Sequence, residues 1–207
     1  MKYFNKFRLV PVNTFALAKL YKSTFEQRGD VLVEIDYILG CNSFLLFRGN
    51  RLVGGCILNN GNNQSFRYLA IYKNDDDKKL CLETEGITES DIMEMTCIFL
   101  NPLSHYERIA FYTLIFYKTR SLSRLWNKKV ILGGSIHTKV QKIQMRLMRH
   151  VLLRSTVNET LAMDGHKNCV VMVYYCKSAE FTSGVIFVLM GLVLESFTRK
   201  RSVLMPR

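Results

Sequence analysis

The chain has 207 residues, of which 48% are hydrophobic and 22% are charged, close to the averages of soluble globular proteins. A chain of this length can bury a core without disulfides or metal ions, and its composition excludes a collagen-like protein and argues against intrinsic disorder. Lys and Arg number 29 against 17 Asp and Glu, so the formal net charge is +12, which favours anionic partners: phosphate-bearing cofactors, acidic carrier proteins, nucleic acid or an anionic membrane surface.

Six cysteines and four histidines are scattered along the chain, and no two cysteines form a CxxC pair. Structural zinc needs closely spaced ligand pairs, so we expect no metal site. Most of the cysteines lie in apolar runs, such as Cys56–Leu58 and Cys97–Phe99, which is typical of small buried side chains in a reducing compartment. Residues 1–11 contain no apolar stretch of signal-peptide length, so the sequence predicts a cytoplasmic protein.

The N-terminal quarter of the chain predicts a strand followed by a helix. Residues 6–12 alternate weakly, as a strand does. Asn13 or Thr14 can cap a helix that runs to about Gln27. The apolar stretch 31–39 carries two acidic residues and fits either a strand or a helix.

A β-hairpin is the clearest local signal. The apolar runs 43–47 and 51–58 are separated by Arg-Gly-Asn, and Gly and Asn accept the positive φ of a tight turn. Residues 66–72 alternate aromatic and aliphatic side chains, which predicts a third strand of the same sheet. The acidic run Asp75–Asp77 is flanked by lysines and predicts a solvated turn.

The second half predicts a strand, a helix and a buried strand. Ile92–Leu100 is the predicted strand, and Ser104 then caps a helix to about Trp126, with Glu107 completing a capping box. Val130–Leu132 forms the short buried strand that follows. A strand, a long helix and a further strand favour a right-handed crossover between two parallel strands.

A helix over roughly 137–150 shows the helical period on two opposite faces, one apolar and one basic. Strands at about 153–163 and 168–176 follow it. The whole order predicts a mixed α/β fold in which a mostly antiparallel sheet contains one parallel pair. The basic face of the helix is a candidate surface for a nucleotide phosphate, an acidic carrier protein or RNA. Its alternative is a solvated face without a partner. The face comprises Lys139, Lys142, Arg146 and Arg149.

This order of elements resembles that of the Gcn5-related N-acyltransferases, the GNAT fold, over roughly residues 4–177. The resemblance makes Ile92–Leu100 the central strand, whose exposed backbone pairs with the pantetheine arm of an acyl thioester such as acetyl-CoA. It makes the start of the next helix the receptor for the pyrophosphate, because free N–H groups and the positive helix end favour an anion. The implied donor-binding residues are Cys97, Ile98, Phe99 and Leu100 on the strand, and Ser104, His105, Tyr106 and Arg108 at the helix start.

Two groups within that superfamily carry further likenesses. Glu34-Ile35-Asp36 and Met93-Glu94-Met95-Thr96 resemble stretches of acyl-homoserine-lactone synthases and related N-acyl amino acid synthases, which use acyl carrier protein donors. Leu125-Trp126-Asn127 and the stretch 130–138 look like the fifth strand and next helix start of acetyltransferase-like internal virion proteins of short-tailed phages. These likenesses imply acyl transfer from a coenzyme A or carrier-protein thioester to an amine.

Three side chains are candidates for the proton transfers that amide formation needs. Glu94 lies in the middle of the predicted central strand among apolar neighbours, where desolvation raises a carboxyl pKa, so it is the first candidate base. Its alternative is a structural or solvent-facing role. Ser135 and His137 follow the buried strand, where either could relay a proton. The helix over 139–150 has no Tyr to serve as the acid that the resemblance implies.

The rival function is a structural or interaction protein that keeps the fold without catalysis, such as a virion component or a membrane-associated adaptor. The absence of glycines between Asn101 and Ala110 favours this rival, whereas Glu94 favours the enzyme. A third alternative is non-specific nucleic-acid binding through charge. Whether the protein is an enzyme at all stays open at this level.

The C-terminal segment 178–207 is predicted to be an apolar helix with a basic tail, beyond the GNAT-like domain of residues 1–177. Phe181–Leu194 is uncharged, and Arg199-Lys200-Arg201 follows. As a helix these 14 residues span about 21 Å, short of a bilayer core of about 30 Å. We expect 181–197 to be buried against the domain or a second copy of the chain, with a membrane surface as the alternative.

Overall fold

The computed structural model describes residues 6–29, 31–72, 74–156 and 170–203. In this part of the chain seven strands form a single sheet in the order β1-β2-β3-β4-β5-β7-β6. The strands are β1 (Phe7–Pro11), β2 (Asn42–Arg48), β3 (Arg51–Asn59), β4 (Ile92–Leu100), β5 (Val130–Ser135), β6 (His150–Thr156) and β7 (Val170–Lys177). The helices are α1 (Phe15–Gly29), α2 (Ile35–Gly40), α3 (Asp75–Thr84), α4 (His105–Leu125), α5 (Thr138–Met148) and α6 (Phe181–Val203).

The sheet is antiparallel except where β4 meets β5, so the predicted mixed sheet with one parallel pair is confirmed. Helix α4 connects these two parallel strands, as predicted from the order of strand, long helix and strand. The hairpin turn of β2 and β3 has Gly49 at φ +61°, a conformation that favours glycine. The predicted capping box of Ser104 and Glu107 also forms at the start of α4.

Two local predictions are wrong. Residues 66–72 do not extend the sheet; Leu69–Ile71 forms a 3₁₀ turn instead, because the segment packs its apolar side chains onto one face of the sheet. Asp75–Asp77 is not a turn but the first turn of α3, capped by the Asn74 side chain. Three carboxylates at a helix N-terminus are stabilised by the helix dipole. The ambiguous segment 31–39 contributes the start of α2.

The helices cover the two faces of the sheet unequally. α4, α5 and α6 pack on one face, around a core that includes Phe111, Phe116 and Phe181. On the other face, α1 and α2 pack around Tyr21 and Ile57, and the 3₁₀ turn and α3 cover the region beside them. The centre of the sheet therefore lies between two apolar layers.

The C-terminal helix α6 packs against α4 and α5, as expected for burial against the domain. Phe181, Val188 and Leu192 are buried, while Ile186 and Phe187 on its outer side are more than half exposed. No helix among the described residues is both long enough and apolar enough to cross a membrane. Contact of 181–197 with a membrane surface or a second copy stays a prediction.

Gly184 should prove necessary for the docking of α6. A Cβ atom on Gly184 would lie 2.1 Å from the backbone oxygen of Leu147 in α5, so Gly184→Ala must push the two helices apart. We expect Gly184→Ala to lower the free energy of unfolding by about 1–3 kcal/mol in urea titrations. The matched control is Gly191→Ala in the same helix, where the nearest atom is the mobile end of Arg146 at 3.2 Å. Equal stability of the two variants would contradict the packing of α6.

Candidate functional site

The central strand β4 contains a bulge at Cys97. Phe99 pairs with Gly55 of β3, but Thr96 pairs with Ile57, so two residues of β4 oppose one residue of β3. Cys97 adopts φ +50°, which is uncommon for a residue other than glycine. This backbone conformation costs of order 1–3 kcal/mol. The buried Tyr21 hydroxyl donates to the Cys97 carbonyl at 2.6 Å and holds this conformation.

β4 and β5 separate just before the bulge. Their pairing ends at Met95 and Gly133, although β4 continues to Leu100 and β5 to Ser135. The Gly134 carbonyl, one residue past the last pair, accepts hydrogen bonds from Tyr68 Oη at 2.5 Å and Gln144 Nε2 at 3.0 Å. The second half of β4 therefore has a backbone edge that is not paired with β5.

A cavity of about 110 Å³ occupies the gap between the separated strands. Its walls come from six parts of the chain, and most of the lining side chains are apolar. None of the described lining residues is acidic. The lining residues are Phe25, Val31, Arg67, Tyr68, Ile71, Thr96, Cys97, Ile98, Gly134, Ser135, Ile136, His137, Val140, Gln144 and Val171.

Four of the residues predicted from the sequence line this cavity: Ser135, His137, Cys97 and Ile98. The Ser135 hydroxyl accepts a hydrogen bond from the backbone N–H of His137 at 3.0 Å, so both side chains sit at the turn between β5 and α5. Burial raises the pKa of the Cys97 thiol, which disfavours its thiolate form. Phe99 and Leu100, also predicted, lie further along β4 outside the cavity.

Glu94 lies on β4 before the bulge and does not line the cavity. Its side chain is fully buried, and its carboxylate accepts hydrogen bonds from Tyr37 Oη at 2.9 Å and from the backbone N–H groups of Arg67 at 3.1 Å and Tyr68 at 2.8 Å. Burial raises the pKa of Glu94, and these three hydrogen bonds offset part of that effect. In this structure Glu94 positions the loop that carries Arg67 and Tyr68, and its role as a base stays a prediction.

The start of α4 is also not part of the cavity wall. Glu107 accepts hydrogen bonds from the backbone N–H and hydroxyl of Ser104, and it forms ion pairs with Arg48 and Arg51. A carboxylate of the chain itself therefore lies at this helix start as part of the capping box. The structure does not bring the predicted residues Ser104, His105, Tyr106 and Arg108 to the gap between β4 and β5.

The polar cavity residues that the sequence analysis did not predict are Arg67, Tyr68, Thr96 and Gln144. The Gln144 side chain is buried, and its Oε1 has no hydrogen-bond partner among the described residues. A buried acceptor without a partner costs about 1–3 kcal/mol, so Oε1 is suited to an N–H or O–H donated by a ligand or by a water molecule. Gln144 lies on the apolar face of α5 beside Ile143 and Leu147. A polar residue within an apolar face is the sequence signal that indicates Gln144 as a candidate site residue.

Two residues of the basic stripe of α5, Arg146 and Arg149, contact α6 and do not line the cavity. Arg149 ends the helix at φ +63° and places its guanidinium over the Phe187 ring of α6, and Arg146 lies beside Gly191. The Lys139 side chain lies outside the described part of the structure. Binding of a phosphate, an acidic carrier protein or nucleic acid by this stripe stays a prediction.

No group of three or more His, Cys, Asp or Glu residues suited to a metal ion occurs in the described ranges.

Comparisons with known proteins identify the fold. No protein-family model matches the sequence, and no curated protein matches it significantly. The structure, however, is similar to the N-acyl amino acid synthase FeeM from uncultured soil microbes, with a TM-score of 0.59 and 14% identity over 86% of this chain and 95% of that one. It is similar to a GCN5-related N-acetyltransferase from Brucella melitensis, with a TM-score of 0.57 and 11% identity over 90% of this chain and 82% of that one.

A third similar structure is YncA of Salmonella typhimurium, solved with its cofactor acetyl-CoA, at a TM-score of 0.51 and 11% identity over 84% of this chain and 95% of that one. All three likenesses extend over most of both chains. The chain therefore has the GNAT fold, and the expectation drawn from the order of its elements is confirmed.

Proposed function

We propose that this protein transfers an acyl group from a thioester to an amine, and that the reaction takes place in the cavity between β4 and β5. The observation that carries the proposal is the separation of the two strands after Met95, next to the bulge at Cys97. An uncovered strand edge can pair with the amides of an extended ligand. The pantetheine arm of an acyl thioester is such a ligand, with two amides in a narrow chain.

The cavity supports binding of the acyl end of such a donor. Its walls are mainly apolar, as a hydrocarbon chain requires, and apolar contacts there exclude water from the thioester. Ile98 and Val140 face the gap from β4 and α5. Gln144 Oε1 supplies an acceptor for an amide N–H of the pantetheine arm, which would satisfy the buried oxygen.

Ser135 and His137 are the proposed groups for proton transfer. Attack of a neutral amine on the thioester carbonyl forms the C–N bond and breaks the C–S bond; the amine loses a proton and the leaving thiolate gains one. An imidazole can accept and return a proton in such a step, and a serine hydroxyl can relay it. Both residues line the cavity. Glu94 contributes by holding Arg67 and Tyr68 in place.

The donor is a coenzyme A thioester or an acyl carrier protein thioester. The Glu107 carboxylate at the start of α4 accepts from Ser104 and places a negative charge there, which disfavours a pyrophosphate at this position. A carrier-protein arm has a single phosphate and does not need that site, and the net charge of +12 suits an acidic carrier protein.

The test is turnover with both kinds of donor. Purified protein would be incubated with acetyl-CoA, octanoyl-CoA or octanoyl acyl carrier protein and a mixture of amino acids, amines and polyamines, and products would be identified by mass spectrometry. We expect an amide product with at least one donor. If the protein forms no amide with any donor and also binds none of them, the result would contradict the proposal and favour the non-catalytic alternative.

Gln144 offers a prediction that separates stability from binding. Gln144→Leu removes the unpartnered Oε1, while the Gly134 carbonyl keeps its hydrogen bond from Tyr68, so stability should stay unchanged or rise by about 1 kcal/mol. The affinity for the acyl donor should fall by about tenfold, measured by calorimetry. The matched control is Gln141→Leu on the same helix, which loses hydrogen bonds to Ser135 and Val170 and should lower stability with less effect on affinity. Unchanged donor affinity in Gln144→Leu would contradict the assigned contact.

A further inference from the structure

The outer face of α6 carries exposed apolar side chains that lie next to one another. Ile186, Phe187 and Met190 each expose more than half of their surface, and Leu194 follows one turn later with 62% exposed. Spacings of three and four residues place these four side chains on one face of the helix, whereas Val188 on the opposite face is buried. Large apolar side chains exposed together favour a partner that removes them from water.

Arginine side chains from α5 border this outer face. The Arg149 guanidinium lies 5.4 Å from the centre of the Phe187 ring. Arg146 Nη1 lies 3.2 Å from the position that a Cβ atom on Gly191 would take. Both arginines are exposed, so their charges and the apolar side chains of α6 belong to one continuous surface.

The sequence around this surface is basic. Residues 138–156, which include α5 and β6, contain five Lys and Arg and no Asp or Glu. Residues 181–207 contain four Lys and Arg, three of them in Arg199-Lys200-Arg201, against Glu195 as the single acidic residue. Glu180, before α6, faces His150 at 3.5 Å. Apolar side chains bordered by cations match an anionic bilayer surface, where the former enter the acyl boundary and the latter meet the headgroups.

The same charges disfavour a second copy of the chain as the partner. In a two-fold dimer, one patch of the surface meets the identical patch of the other copy. A dimer through the outer face of α6 would bring the basic borders of both copies together, in a chain whose net charge is +12. Like charges that face each other across an interface oppose association. Charge complementarity therefore favours an anionic partner.

We propose that the outer face of α6 binds the surface of a membrane that contains anionic phospholipids. Ile186, Phe187 and Met190 enter the boundary between headgroups and acyl chains, and the helix lies along the surface. Arg146 and Arg149 bind lipid phosphates at the edge of this contact. The inference does not rest on acyl transfer, because none of these five residues lines the cavity between β4 and β5.

Vesicle sedimentation tests the proposal. The full chain would be mixed with vesicles of phosphatidylcholine alone, or of phosphatidylcholine and phosphatidylglycerol in equal amounts. We expect wild type to bind the anionic vesicles at least about tenfold more tightly than the neutral ones. Phe187→Asp should weaken this binding by at least about tenfold. Arg146→Gln with Arg149→Gln should weaken it by about 20-fold, since each arginine near an anionic surface contributes about fivefold.

The matched controls make the same changes elsewhere on the surface. Leu80→Asp alters an exposed leucine of α3. Arg8→Gln with Arg28→Gln removes two exposed cations from β1 and α1. At physiological ionic strength both controls should bind anionic vesicles within about twofold of wild type, because salt screens charges far from the contact.

A tryptophan reporter tests the contact without placing a charge in the helix. Phe187→Trp in a Trp126→Phe background leaves a single tryptophan, because Trp126 is the only one in the sequence. We expect the emission of this tryptophan to shift to shorter wavelength when anionic vesicles are added. An unshifted emission in vesicle-bound protein would place the contact elsewhere and overturn the proposal.

Three further results would overturn the proposal. The first is absence of wild-type binding to anionic vesicles, or equal binding to both kinds of vesicle. The second is an equal loss in the control arginine pair, which would attribute binding to net charge alone. The third is a dimer in light scattering that Phe187→Asp dissociates, with no vesicle binding, which would assign the outer face of α6 to self-association. Circular dichroism of each variant establishes that it is folded.

Discussion

Val140→Trp is expected to reduce the affinity for the acyl donor by about 100-fold or more. Val140 lines the cavity from the first turn of α5, and the indole ring is much larger than the isopropyl group that it replaces. A cavity of about 110 Å³ cannot hold both an indole ring and an acyl thioester. Calorimetric titration with the donor that wild type binds would measure the loss, and amide formation should fall with it.

The matched control for this variant is Met145→Trp. Met145 lies on the same helix with half of its surface exposed, so an indole ring there extends into solvent. Overpacking at Val140 itself costs about 1–3 kcal/mol at most sites, so urea titration of both variants is needed beside the binding measurement. A folded Val140→Trp protein that binds the acyl donor as wild type does would place the donor elsewhere.

Glu94→Ala should lower the free energy of unfolding by about 3 kcal/mol and abolish amide formation. The change leaves three buried donors without an acceptor, namely Tyr37 Oη and the backbone N–H groups of Arg67 and Tyr68. The loop would then lose its anchor, and both side chains that it brings to the cavity would be displaced. Glu34→Ala is the matched control, because Glu34 is exposed and its side chain makes no capping hydrogen bond.

Glu94 should also make stability depend on pH. Because burial raises the pKa of Glu94 above its ordinary value of 4.5, the folded state binds more protons than the unfolded chain just above that value. This contribution to stability is fully present below about pH 4.5 and is lost as the pH rises through the folded-state pKa. Urea titrations between pH 4 and 8 should show a decline in wild type that is absent in Glu94→Gln. A stability that rises with pH through Glu94 would contradict the assigned direction.

The order of elements was predictable because local patterns determine it. The Gly49 turn, the capping box of Ser104 and Glu107, and the strand, helix and strand from Ile92 onward each depend on residues close in sequence. These three features already imply a hairpin followed by a parallel crossover. The alternating pattern of residues 66–72 predicts a strand wrongly, because such alternation also occurs in a loop that packs one side onto a sheet.

The candidate site was less predictable, because its residues converge from segments distant in sequence. Ser135 and His137 were found because they follow a buried strand, a local signal. Arg67 and Gln144 meet at the cavity across 77 positions of sequence, and each stands out locally only as a polar residue within an apolar pattern. For Glu94 the sequence left a buried and a solvent-facing position open; the structure buries the carboxylate, and the sequence could not indicate which hydrogen-bond donors surround it.

The proposed function requires that an acyl thioester bind in the gap between β4 and β5, and titration calorimetry with the wild-type protein measures this binding. The ligands would be acetyl-CoA, octanoyl-CoA, free coenzyme A and octanoyl acyl carrier protein. We expect micromolar binding of at least one thioester, tighter than that of the corresponding thiol, because the acyl group fills the apolar cavity. Absence of binding for every thioester would rule out the proposed acyl transfer and would favour a structural or interaction role for this GNAT fold.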